Sequence, residues 1–135
     1  MTAYDLERTY LFIDGAGGVT PAPVGPDFWA TIEQNPLASR TMVTVSEGQG
    51  AWPRWEMHPA GDEVLLILEG QPKLWFEHPD GRLEALTPQT GATVIVPKGV
   101  WHRAEGAYKM LFITYGEGTT HKPVTDEDRA RTRQA

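Results

Sequence analysis

One short stretch, residues 55–70, constrains this chain more than any other. Glu56 and His58 are two positions apart in a segment that we expect to be extended, so both side chains leave the same face of a strand. Residues 59–62 predict a tight turn, because proline presets the first turn position and glycine relieves a later one. Glu63 then starts a strongly apolar run. The turn therefore directs three potential metal ligands toward one point.

A second segment, residues 91–102, supplies a fourth candidate ligand. Its β-branched run ends at Pro97, a Pro-x-Gly turn follows, and His102 begins the next predicted strand. Imidazole and carboxylate groups are common ligands of first-row divalent metals. A metal site built from these two segments is the chemistry that the sequence indicates.

Both segments resemble the two sequence motifs of the cupin family. The first motif is matched by Gly50, Glu56-x-His58, four residues, Glu63, six residues and Gly70. The second is matched by Gly91, five residues, Pro97-x-Gly99, two residues and His102, with three residues before Gly106. Two positions depart from the family pattern: Glu56 stands where the first histidine is usual, and Gly106 stands where the family has asparagine.

The resemblance implies a metal centre held by His58, Glu63 and His102, a set typical of non-haem iron sites with open positions. Glu56 is then either a fourth ligand or a catalytic acid–base group beside the metal. The implied cofactor is a divalent ion, namely iron, manganese, nickel or zinc. Asp62 is an alternative ligand to Glu63, but the motif spacing favours Glu63.

The composition predicts one soluble domain. The chain has 135 residues, enough to bury a sizeable core, and it has no cysteine for disulfides or thiolate metal sites. Its net charge of −6 and the lack of a basic sequence patch argue against a nucleic-acid partner. No stretch approaches membrane-spanning length and no signal-peptide pattern opens the chain, so no membrane partner and a cytoplasmic location are expected.

The predicted fold class is all-β: an antiparallel jelly-roll barrel, with a short helix before it and, after it, a tail that is either a short exposed helix or frayed. We divide the single domain into an N-terminal extension (1–39), a cupin barrel (40–116) and a polar C-terminal tail (117–135). Strands are expected at 9–13, 41–45, 56–58, 64–69, 73–77, 82–86, 93–96, 101–104 and 109–115. Asp27 is expected to cap a helix that runs to Gln34. The glycine-rich residues 14–19 predict a flexible loop rather than a phosphate-binding loop, because the proline-rich residues 20–26 follow in place of a helix.

The remaining candidate residues are better explained by structural roles than by a role in a functional site. His78 and His121 lie outside both motifs beside proline-containing turns, which predicts solvated loop histidines. Most tryptophans are expected in the core or at a dimer contact. The weak candidates for lining a substrate pocket are Met42, Trp75, Met110 and Phe112.

Three function hypotheses follow. The preferred one is a metal-dependent enzyme, dioxygenase-like or isomerase-like, that acts on a small organic molecule. The second is a non-catalytic module that binds or senses a small ligand, with a structural metal or none. The third is an interaction domain whose outer strand faces and tryptophans serve assembly. The resemblance also implies a homodimer, and residues 64–68 are apolar on both strand faces, which favours the same conclusion.

Overall fold

The computed structural model describes residues 1–134 and shows a predominantly β protein. Its strands are β1 Thr9–Ile13, β2 Val19–Pro23, β3 Thr41–Gly48, β4 Arg54–Met57, β5 Glu63–Gly70, β6 Lys73–Glu77, β7 Leu83–Leu86, β8 Thr93–Val96, β9 Trp101–Glu105, β10 Tyr108–Tyr115 and β11 Thr120–Pro123. Two helices, α1 Phe28–Thr31 and α2 Asp126–Gln134, and two 3-10 turns, Ile32–Gln34 and Pro36–Ser39, complete the order.

The strands form two antiparallel sheets. One has six strands in the order β2-β1-β3-β10-β5-β8, and the other has five in the order β11-β4-β9-β6-β7. Strands that follow one another in the chain repeatedly belong to different sheets, as in a jelly roll. The predicted all-β jelly-roll barrel is therefore confirmed.

The main hydrophobic core fills the space between the sheets. Alternate residues of the central strands point inward, among them Leu65 and Ile67 on β5 and Met110 and Phe112 on β10. A second, smaller cluster of Trp55, Trp75 and Val124 lies apart from this core. Because side chains alternate between the two faces of a strand, the inward-facing residues of the two sheets form both the core and the candidate site.

Several predicted elements are confirmed within a few residues. The strands expected at 9–13, 73–77 and 93–96 have those bounds, and the C-terminal helix is present as α2. Acidic residues fill its first turn and arginines its last, which suits the helix dipole. Neither helix in the described part of the chain has the length and apolar character that crossing a bilayer requires.

Three predictions were wrong. No strand was predicted between residues 14 and 26, yet Val19–Pro23 form β2, which pairs with β1 as an edge strand and places Pro21 and Pro23 where a missing N–H is tolerated. The predicted series of strands ended at residue 115, yet Thr120–Pro123 in the polar tail form β11, which pairs with β4. The helix expected from Asp27 to Gln34 is one α-helical turn followed by a 3-10 turn, and Asp27 makes no side-chain capping hydrogen bond.

Candidate metal centre

Three strands and one turn bring the four predicted ligands together. Glu56 lies on β4 and pairs directly with His102 on β9, so the two side chains share one face of the five-stranded sheet. His58 follows the end of β4, and Glu63 opens β5 in the opposite sheet. One ligand atom from each of the four residues lies within 4.8 Å of the others. The predicted convergence of these side chains is present.

The distances within the group are short and nearly symmetric. The Nε2 atoms of His58 and His102 each lie 3.1 Å from a carboxylate oxygen of Glu63. The same two nitrogens lie 3.5 and 3.4 Å from Oε2 of Glu56. Both histidines and Glu63 are buried, whereas the side chain of Glu56 is 24% exposed and forms the solvent side of the group.

The outer nitrogens of both imidazoles already have partners. Nδ1 of His102 lies 3.3 Å from the carbonyl oxygen of Val100, so this nitrogen carries the proton. Nδ1 of His58 lies 2.8 Å from Oγ1 of Thr119, and that hydroxyl donates its own proton to the carbonyl of Gly116. The Thr119 oxygen must therefore accept from His58. In the neutral form, each Nε2 then presents a bare lone pair.

The inner atoms, in contrast, lack hydrogen-bond partners. Among the described residues, Nε2 of His58, Nε2 of His102 and Oε1 of Glu63 are buried without one. The other oxygen of Glu63 accepts a 2.6 Å hydrogen bond from the hydroxyl of Thr114, which fixes the carboxylate. Acceptor atoms that face one another in a buried space repel unless a cation lies between them. The residues present therefore fit a divalent metal.

Without a metal, protons would take the place of the cation. Burial by itself lowers the pKa of His58, but the adjacent carboxylates of Glu56 and Glu63 raise it to about 9. The same balance raises the pKa of His102 to about 10. Burial raises the pKa of each glutamate, yet the facing histidines hold both carboxyl pKa values below their usual range. The group therefore favours ionised carboxylates around positive charge.

Two residues of this site were missed in the sequence. His121 is not a solvated loop histidine as predicted: it lies on β11, with Nε2 3.2 Å from Oε1 of Glu56 and a side chain 39% exposed. Thr119 orients His58 from the residue before the same strand. Neither belongs to a motif, and only the pairing of β11 with β4 brings them to the site. His78 lies in a turn and contacts Glu84 at 2.8 Å.

The four candidates for a pocket lining are dispersed. Met110 and Phe112 belong to the main core. Met42 lies directly opposite Thr114 on the neighbouring strand, on the face that also carries the hydroxyl bonded to Glu63. Trp75 belongs to the second cluster, which lies away from the metal centre. Met42 is thus the candidate that the strand register places beside the site.

Comparison with known proteins supports the fold through structure alone. No protein-family model matches the chain, and no curated protein sequence matches it. A variant of oxalate decarboxylase from Bacillus subtilis superposes with a TM-score of 0.53 at 16% identity, over 69% of this chain and 28% of that one. Vicilin from Corylus avellana gives a TM-score of 0.51 at 13% identity, over 76% of this chain and 30% of that one. Both share the two-sheet barrel described above.

This chain has the cupin fold. A hydroquinone 1,2-dioxygenase solved with Cd²⁺ and 4-hydroxybenzonitrile gives a TM-score of 0.50 at 17% identity, over 55% of this chain and 56% of that one. A cupin-2 domain protein from Shewanella frigidimarina is 26% identical over 55% of this chain and 69% of that one, with a TM-score of 0.44. This cupin barrel spans less than a third of the decarboxylase and vicilin chains. At these identities the likeness concerns the fold, and the site must be argued from its own atoms.

Proposed function

We propose that this protein is a metal-dependent enzyme that acts on a small organic molecule, by dioxygenase-like or isomerase-like chemistry. The observation that carries the proposal is the buried group of facing lone pairs on His58, Glu63 and His102. These converging atoms need positive charge between them, supplied either by protons on the imidazoles or by a metal ion. Here the donors are on the outside, where they orient the imidazoles, and the inner side is left for a cation.

In this proposal His58, Glu63 and His102 hold the metal, and Glu56 serves as an acid–base group beside it. A bound divalent ion would supply Lewis acidity and, for iron or manganese, one-electron redox chemistry. The three holding groups are at most 4% exposed, and each is fixed by a hydrogen bond from outside the group. Two neutral imidazoles and a carboxylate leave open positions for water or substrate.

Glu56 has the geometry of a proton carrier. One of its oxygens, Oε2, faces the two histidine Nε2 atoms, and the other, Oε1, contacts Nε2 of His121. His121 is partly exposed, so its imidazole is in contact with solvent as well as with Glu56. A proton taken from a substrate by Glu56 therefore has a short route to solvent through His121.

The fold neighbours are consistent with this proposal by analogy only. They include a decarboxylase and a dioxygenase by name, and the dioxygenase was solved with a metal ion and a small aromatic ligand. Two carboxylates and two imidazoles form a comparatively hard, anionic shell that suits iron, manganese or nickel, while zinc accepts the same ligands.

The proposal is tested by reconstituting metal-free protein separately with Fe(II), Mn(II), Ni(II) and Zn(II). Each form is incubated with a panel of small enols, diphenols and hydroxy acids. Oxygen consumption is followed with an electrode, and oxygen-independent isomerisation is followed by NMR under nitrogen. We expect turnover by at least one metal form and none by His102→Ala prepared in the same way. A protein that loads metal and binds panel compounds but converts none would overturn the enzyme and support the non-catalytic binding module.

A further inference from the structure

A second site lies on the outer side of the five-stranded sheet, separate from the metal centre. Helix α2 covers part of this sheet and leaves a cavity of about 390 Å³ beside it. Four cationic side chains line the cavity, from Lys73, Arg103, Arg129 and Arg133, against the single carboxylate of Glu105 among the described lining residues. In a chain of net charge −6 such a concentration of positive charge is unusual.

Arg103 is the fixed centre of this cavity. It follows His102 on β9 and points to the opposite face of the sheet, where its side chain is only 1% exposed. Its guanidinium carbon lies 5.1 and 5.8 Å from the ring centroids of Trp55 and Trp75. Its two terminal nitrogens donate to Glu105 at 2.7 Å and to Thr132 at 3.3 Å. The packing therefore holds a buried cation in one orientation.

The hydrogen-bond donors around the cavity exceed the acceptors. Nε of Arg103 and Nε1 of Trp75 are both buried and have no hydrogen-bond partner within residues 1–134. Both residues line the cavity. Buried donors are almost always paired in native proteins, so two unpaired ones beside one cavity indicate an absent acceptor.

Two further cations, Lys73 and Arg129, are placed to contact such an acceptor. Lys73 reaches across the ring of Trp75, with Nζ 4.4 Å from its centroid. Arg129 pairs at 2.9 Å with Asp126, whose side chain is fully exposed, so that ion pair is weak and easily exchanged. A ligand with negatively charged oxygens would meet donors from the sheet on one side and from α2 on the other.

We propose that this cavity binds a small oxyanion, a carboxylate or a phosphate group. Arg103 is the buried anchor, and Lys73 and Arg129 are the adjustable partners. The volume suits a small molecule, and guanidinium groups match the planar oxygens of carboxylate and phosphate. The site is separate from the proposed metal centre, because Lys73, Trp75 and Arg103 lie on the opposite face of the sheet from His102 and Glu56.

The test follows the tryptophan indole N–H resonances of the full chain by NMR during titration. Sodium phosphate and sodium succinate are the two probes, each at constant ionic strength with sodium chloride as the reference. We expect a saturable shift of the Trp75 resonance, assigned with Trp75→Phe, at up to about 10 mM anion. The resonance of Trp29, which is exposed and does not line the cavity, should not move. A response to succinate alone assigns a carboxylate ligand, and a response to phosphate alone assigns a phosphate ligand.

Variants separate a built site from general charge attraction. Lys73→Gln combined with Arg129→Gln should weaken binding by about tenfold or more, because both adjustable partners of the anion are lost. The control combines Arg8→Gln with Arg82→Gln, which removes the same charge from exposed positions outside the cavity. It should leave binding unchanged. The absence of a saturable Trp75 shift with both anions, or an equal weakening in the control, would overturn the proposal.

Discussion

Glu56 is the residue at which this site departs most from the family motif. A carboxylate there adds negative charge to a group that already contains Glu63, and the histidine pKa values rise in response. The departure also creates a second contact, since Oε1 of Glu56 reaches His121. A histidine in this position would direct one ring nitrogen at the group and would have no carboxylate oxygen to contact His121. Glu56 therefore bears on both parts of the proposal, the charge offered to a metal and the route for a proton.

Replacement of this carboxylate by its amide tests the proton-carrier role. Glu56→Gln keeps the size of the side chain but cannot accept a proton, so turnover should fall by about 10²–10⁴-fold while metal content stays near that of the wild type. Metal is measured by elemental analysis and turnover by the assay that the wild type supports. Glu84→Gln is a matched control, since Glu84 also contacts a histidine but lies on the surface. Loss of metal together with turnover would instead identify Glu56 as a ligand.

Protons and metal compete for the same two nitrogens. In the metal-free protein the pKa values of His58 and His102 lie at about 9 and about 10, so both imidazoles are charged at neutral pH. Metal binding should release about two protons at pH 7, and affinity should rise with pH up to that range. Calorimetric titrations in buffers of different ionisation enthalpy measure the release. Binding without proton release would contradict the ion-paired state of the empty group.

The same pKa values predict how the metal-free protein depends on alkaline pH. Raised histidine pKa values stabilise the fold below the ordinary value of 6.5, and this contribution is lost as pH rises through about 9 and about 10. The melting temperature of the metal-free protein should therefore fall progressively from about pH 6.5 to about pH 10 and level off above that range. The metal-loaded protein, in which both imidazoles are already neutral, should not show this loss. Parallel alkaline melting profiles for the two forms would contradict the account.

At the scale of elements, the sequence predicts the strands that carry the motifs better than those at the edges. The run after Glu63 is apolar and alternates cleanly, and its turn contains both proline and glycine. Edge strands β2 and β11 lack such a pattern. Pro21 and Pro23 disfavour a strand by composition, yet they are tolerated where the sheet ends. The contact between His121 and Glu56 spans 65 positions and depends on the pairing of β11, so no local pattern reports it.

The loop before β11 is expected to matter for the metal. Thr119→Val removes the oxygen that accepts from Nδ1 of His58 and leaves the imidazole unfixed. Metal affinity should fall by about 10–100-fold, as is typical when the partner of a metal-bound histidine is lost. Competition with a coloured chelator measures this change. Thr90→Val, which removes an exposed hydroxyl bonded to the Gly70 carbonyl, is the matched control and should bind metal as the wild type does.

At the scale of the whole molecule, the outer face of the six-stranded sheet is apolar. Ile113, Val64 and Ile95 are aligned across three neighbouring strands on this face, and Ile95 is 66% exposed. An exposed row of apolar side chains is stabilised by burial against a partner. We propose that a second copy of the chain covers it. Light scattering after size exclusion should give a dimer for the wild type and a monomer for Ile95→Lys. Leu86→Lys, at an exposed apolar position in the other sheet, should remain dimeric. A monomeric wild type would contradict this proposal.

The central claim, that His58, Glu63 and His102 hold a metal where the four side chains converge, is tested most directly by elemental analysis of the purified protein. The wild type is compared with the His58→Ala/His102→Ala double variant, and folding of both is checked by circular dichroism. We expect close to one iron, manganese, nickel or zinc ion per chain in the wild type and none in the folded double variant. A wild type that contains no metal, even after incubation with each of the four ions, would contradict the claim.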